Sequence, residues 1–257
     1  WDFDAAYEAL LVPDGKGKTS LVHLNKNGFV YVMDKDNGAM KNAWQMAENV
    51  NWTKGVDPKT GLPIDPVFPE TDKQKLHCPN LLGGRSWNHG AYNPTTKLWY
   101  SHGMEVCNTV TSAKQGPVPG VGGLSLGLSE ITLVPPPGKK ADGYLAAFDP
   151  FSGKEAWKVR FDLPPLSSVL ATAGGLVITG DMRGNLYAFD ADNGKELWKF
   201  NAGSGARGGP VSYSVKGKQY IAIPTGLGSH APGFLTGAFP DIRNLPGGAA
   251  LMVFTLD

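Results

Sequence analysis

Short apolar runs, each closed by a tight polar or glycine-bearing turn, recur along this chain. Residues 19–24 and 29–33 flank Asn25-Lys26-Asn27-Gly28, and Asn-Gly at that place predicts a hairpin. Residues 169–173, 176–179, 185–190 and 196–200 read as four successive strands. Stretch 5–12 is extended or briefly helical, a turn follows at 13–17, and 249–256 predicts a closing strand.

The turns repeat. Ala147-Phe148-Asp149, leading to Ser152-Gly153 and Trp157, returns as Ala188-Phe189-Asp190, leading to Asn193-Gly194 and Trp198; the two aspartates are 41 residues apart. Asp34 to Gly38, with Trp44 beyond, is a looser copy. The Asp and the Ser/Asn-Gly suit a tight turn between antiparallel strands. Each tryptophan is expected to pack on the neighbouring unit. A period near forty with four short strands per unit predicts an all-β fold, a β-propeller of four-stranded antiparallel blades. The 257 residues hold about four such blades as one region, 1–257, with 51–75 and 110–143 as insertions that are either loops over one end of the central channel or disordered surface loops. An open half-ring exposes two sheet edges, so a partner half, or membership of a longer chain, is expected.

A net charge of +1 and no basic face argue against nucleic-acid binding, and no apolar run is long enough for a membrane span. The chain begins at Trp1, not methionine, and so reads as a processed product or a fragment. Cys78 and Cys107 are too far apart for a CxxC motif; by themselves they are either one bridge or two buried thiols. The five histidines have no metal-ligand spacing, although His89 and His102 flank the segment Gly83-Gly84-Arg85-Ser86-Trp87-Asn88. Trp1-Asp2-Phe3-Asp4 carries acids at i and i+2. In an extended segment both share a face, where they repel unless a cation or a shared proton compensates.

Together these motifs resemble the C-terminal half of a pyrroloquinoline quinone (PQQ)-dependent alcohol dehydrogenase of the methanol/ethanol type, an eight-bladed quinoprotein propeller. The likeness runs nearly end to end. It implies oxidation of a primary alcohol to an aldehyde with PQQ and a bound calcium or lanthanide ion. Asp2 matches the general base and, with Asp4, the metal-binding acids; lanthanide-using members have an extra aspartate at the place of Asp4, and related glucose dehydrogenases also carry an acid there without that metal. Lys26 matches the cation at the quinone carbonyl oxygens, and Ser86 and Trp87 match a cofactor-contacting loop in which the family usually has Asn before Trp. Cys78 and Cys107 match a pair that is bridged in methanol dehydrogenases, which implies a disulfide and a periplasmic location. A cytochrome c acceptor, and an upstream half with the remaining metal ligands, are implied as partners. The rival readings are a non-catalytic propeller scaffold, a sugar or polyol quinoprotein dehydrogenase, and an inert isolated half.

Overall fold

The computed structural model describes residues 3–5, 7–15, 17–113 and 127–255. Asp2, Trp1 and the tip of the 110–143 insertion lie outside them. In chain order the strands are β1 (Ala9–Pro13), β2 (Thr19–Leu24), β3 (Phe29–Asp34), β4 (Met40–Gln45), β5 (Gly55–Val56), β6 (Pro63–Ile64), β7 (Gln74–His77), β8 (Ala91–Asn93), β9 (Leu98–Glu105) and β10 (Cys107–Ser112). There follow β11 (Leu128–Val134), β12 (Asp142–Phe148), β13 (Glu155–Phe161), β14 (Leu170–Ala171), β15 (Leu176–Gly180), β16 (Asn185–Asp190), β17 (Glu196–Asn201), β18 (Val211–Val215) and β19 (Lys218–Thr225), then helix α1 (His230–Leu235) and β20 (Ala250–Thr255).

Three antiparallel four-stranded sheets, β1–β4, β8-β9-β12-β13 and β14–β17, and a three-stranded sheet, β18-β19-β20, stand face to face as propeller blades. Period-2 alternation builds the layers between them. Tyr144, Ala146 and Phe148 of β12 pack against Val22, Val30 and Trp44 of the first sheet. Leu145 and Ala147, on the opposite face of the same strand, pack against Val177 and Phe189 of the third. Ile178 and Ala188 then meet Ile223, Met252 and Phe254 of the fourth.

The repeated turns share one hydrogen-bond pattern. Gly38, Gly153 and Gly194 N–H donate to Asp34, Asp149 and Asp190 O, each at 2.9 Å. The aspartate Oδ1 accepts from the N–H two residues on in all three. The tryptophans dock as expected. Trp44 Nε1 donates to Pro150 O (3.2 Å) and Trp157 Nε1 to Ala191 O (3.0 Å). Their rings lie over Gly153 and Gly194, where a Cβ would come within 2.4 and 2.6 Å of the indole. Glycine is thus needed twice, for a φ near +70° and for the close approach.

The range expected as an insertion at 110–143 contains regular structure. β10 continues β9 and β11 precedes β12, so the central hairpin of the second sheet extends outward as β10-β11, with β7 added at its edge. Stretch 51–75 carries the two-residue pair β5-β6 and, at its end, the first residues of β7. Antiparallel alternation sorts the connections by end. The β2–β3 and β15–β16 turns, the β19–β20 connection and the passages between sheets share one end with the segment before β1. The Asp-Gly turns occupy the other. A cap of Leu82, Met104, Leu133 and Leu166 under Leu235, Phe239 and Ile242 closes part of the first end.

Candidate cofactor and active site

Lys26 lies in the β2–β3 turn, at the end where the inter-sheet passages meet. Its side chain is 3% exposed. Nζ is 2.5 Å from Asp4 Oδ1 and 5.6 Å from the centre of the Trp87 ring, which is itself 43% exposed. Glycines allow this convergence. A Cβ on Gly83 would stand 2.8 Å from Lys26 Cγ, and one on Gly84 3.0 Å from Ala47 Cβ. Gly84 N–H donates to Lys26 O (3.1 Å), so the 83–88 loop lies directly on the turn. Ser86 is buried beside them, and its hydroxyl makes no hydrogen bond with another described residue.

Asp4 is delivered by the segment before β1, held at several points. Phe3 packs on Trp52 and His77, and Trp52 Nε1 donates to Asn27 O (2.9 Å). Tyr7 OH donates to Arg85 O (2.8 Å). Glu8 takes a bidentate pair from Arg85, Nη1 to Oε1 at 2.8 Å and Nη2 to Oε2 at 2.6 Å, with a third bond from Gly90 N–H (2.8 Å). Burial pushes the Glu8 carboxyl up, but the Arg85 charge and these bonds outweigh it and hold it below its ordinary range. Arg85, 1% exposed, therefore clamps the Asp4 segment to the Trp87 loop. Neither Glu8 nor Arg85 stood out as a functional position in the sequence. The signal was a charged residue inside an otherwise glycine-rich, uncharged loop, which needs a counter-ion if buried.

Cys78 and Cys107 form a disulfide, joining the start of this passage to β10. Beside it, Glu105 is 3% exposed and accepts from Glu48 N–H (2.8 Å), Asn49 N–H (3.0 Å) and Asn49 Nδ2 (2.6 Å). Burial pushes its carboxyl up to about 6. The same stretch reaches the lysine turn, since Met46 and Ala47 N–H both donate to Gly28 O.

The flanking histidines divide. His102 is fully enclosed, with Nδ1 2.9 Å from Ser167 O and Nε2 3.2 Å from Thr179 Oγ1; burial lowers its pKa to about 3, so it is a neutral structural group. His89 is exposed, with Nδ1 3.4 Å from Glu8 Oε2. Asp4, Lys26, Ser86 and Trp87 thus come together, the cysteines bridge nearby, and Asp2 lies outside the described residues. Among the described residues, no three His, Cys, Asp or Glu side chains converge as a metal site. The exposed indole, the buried ammonium beside it and the hydroxyl of the adjacent Ser86 fit a flat, anionic carbonyl compound. The described acids alone do not complete a site for an ion.

The family model of the outer membrane protein assembly factor BamB matches residues 141–218, which lie in the repeated sheets away from Lys26 and Trp87. A quinoprotein ethanol dehydrogenase of Pseudomonas aeruginosa is 34% identical over 100% of this chain, which covers 42% of that protein. One from Pseudomonas putida is 36% identical over 90% of the chain and 39% of its own length. Among solved structures, a europium-containing methanol dehydrogenase superposes with a TM-score of 0.85 at 26% identity, over 100% of this chain and 48% of that one. The quinohemoprotein alcohol dehydrogenase from Comamonas testosteroni gives 0.83 at 27% identity, over 99% and 38%. The chain spans less than half the length of each of these relatives.

Proposed function

The chain belongs with the quinoprotein alcohol dehydrogenases, of which it matches a little under half, and from that premise we propose that it supplies part of a PQQ site that oxidises a primary alcohol to an aldehyde. The observation that carries this reading is the buried Lys26, set between Asp4 and the exposed face of Trp87. When bound, the quinone supplies the acceptor for the hydride that leaves the carbinol carbon. Trp87 offers its ring as a stacking surface, and Ser86 offers a hydrogen bond. Lys26 sets its ammonium, in surroundings poor in water, where negative charge would develop on a quinone oxygen; such placement is worth more than in bulk solvent. Asp2 is assigned the proton from the alcohol hydroxyl, as general base. Asp2 and Asp4 would hold the cation, calcium or a lanthanide; a second acid favours the higher charge. The remaining ligands are assigned to the part of such an enzyme outside this chain.

The same reading assigns electrons to a cytochrome c and the protein to the periplasm; the disulfide suits an oxidising compartment. It also assigns the other sheets of the propeller to the exposed faces that carry Val211, Tyr213, Val215, Leu251 and Val253. The scaffold reading draws on the BamB family match, but that match covers only the repeats and leaves Lys26 and Trp87 without a role. The test is substitution at the amino-terminal acids. Asp2→Ala abolishes dye-coupled alcohol oxidation while the thermal transition is retained, and full turnover in that variant refutes the base assignment. Asp4→Ala weakens lanthanum binding far more than calcium binding; equal losses remove its role in choosing the metal.

A further inference from the structure

Arg207 lies in the passage that leads into β18, at the same end of the sheets as Lys26. Nη1 donates to Leu166 O (2.9 Å) and Nε to Ser229 Oγ (3.3 Å). It is partly buried, and no carboxylate among the described residues lies within ion-pair distance of it. Arg85, the fully buried arginine, has Glu8, and Arg160 has Glu48 and Asp142. Burial pushes the Arg207 pKa down, with no acid to offset it. Two neutral oxygens satisfy only part of a five-donor fork built for carboxylates.

Its position bears on the candidate site. Asn88, next to Trp87, donates from Nδ2 to Ser167 O (3.0 Å), and Ser167 Oγ donates to Gly208 O (2.8 Å). Gly208, the residue after Arg207, is thus two hydrogen bonds removed from the neighbour of Trp87. The passage is also held tightly. A Cβ on Gly205, Gly208 or Gly209 would meet Met182 O, Pro224 Cγ or Ser168 Cβ within 3 Å. A guanidinium projected from so constrained a backbone is pre-organised.

We propose that Arg207 is a carboxylate-recognition residue at the Trp87 end of the molecule, its partner being either a carboxylate of the bound quinone or the acid group of a hydroxy-acid substrate. The proposal rests on the dehydrogenase reading for its two named ligands, but the anion site itself does not. A charge-assisted pair of this kind is worth about 10- to 100-fold in affinity.

Three measurements on the complete protein that carries this chain test it. Benzene-1,3,5-tricarboxylate should raise the melting temperature of the unaltered protein. Arg207→Met, which keeps the packing of the stem, should weaken that effect about 10- to 100-fold, and Arg207→Lys should restore part of it. If the partner is the quinone, Arg207→Met raises the quinone Kd about tenfold or more, and turnover of neutral and acidic alcohols falls together. If the partner is the substrate, the ratio of kcat/KM for an ω-hydroxy acid to that for the matching neutral alcohol falls about tenfold instead. No tricarboxylate shift in the unaltered protein overturns the proposal without any variant. So do a quinone Kd and a selectivity ratio that both stay within about twofold in Arg207→Met. Should the protein neither bind quinone nor oxidise alcohols, yet bind the tricarboxylate through Arg207, the dehydrogenase reading fails and the anion site stands.

Discussion

Lys26 sits where a charge is expensive. An ammonium 3% exposed loses most of its hydration, and its acid partner, Asp4, remains largely in solvent. Lys26→Met removes the charge while keeping a similar volume, and we expect turnover lowered about 100-fold or more in a dye-coupled assay; turnover within about twofold of the unaltered protein refutes the role of the ammonium. Glu105 is a second uncomfortable charge. Its folded pKa of about 6 lies above its ordinary 4.5, so between these values the folded state holds a proton that the unfolded state has released. Its contribution to stability is therefore highest below pH 4.5 and falls by about 2 kcal/mol as pH rises through 6. The difference in unfolding free energy between the unaltered protein and Glu105→Gln should change by this amount between pH 4.5 and 7; a constant difference refutes the assignment. Glu8 has the opposite sign. Held below its ordinary pKa, it contributes stability above pH 4.5 that is lost on acidification.

At the scale of elements, the repeated turn tests itself. Gly38, Gly153 and Gly194 share positive φ, yet only the latter two carry a docked indole; around Gly38 a Cβ would meet nothing within 4 Å. Gly38→Ala therefore bears only the backbone term, about 1 kcal/mol. Gly194→Ala adds displacement of Trp157, for a total of about 2–4 kcal/mol. Chemical denaturation of the two variants checks this, and equal losses remove the docking argument. The Asp-Gly turns and the 176–179, 185–190 and 196–200 strands were legible because each depends on neighbours in sequence: φ at one glycine, an Asx bond two residues on, alternation along one strand. The β10-β11 hairpin was not. Its connection is rich in glycine and proline, and pairing at that distance leaves no periodic trace. The Glu8–Arg85 clamp was missed for the same reason, since one glutamate before a strand and one arginine in a loop carry no shared spacing.

Across the whole molecule the disulfide spans 29 residues and fastens the Trp87 passage to β10. Replacing Cys78 and Cys107 together by alanine should lower stability by about 3 kcal/mol and raise the quinone Kd, read by calorimetry and by fluorescence titration. Unchanged quinone affinity would detach the bridge from the site. Local chemistry was enough to specify the repeated turns, the strand alternation and the kind of side chain present at the amino terminus, because those depend on a few bonds along one stretch of chain. Folding alone could decide that Lys26, Asp4, Trp87 and Arg207 share one end. Antiparallel alternation carries loops far apart in sequence to the same rim, and whether a charge there is buried, and against what, depends on how the assembled sheets bring those loops together.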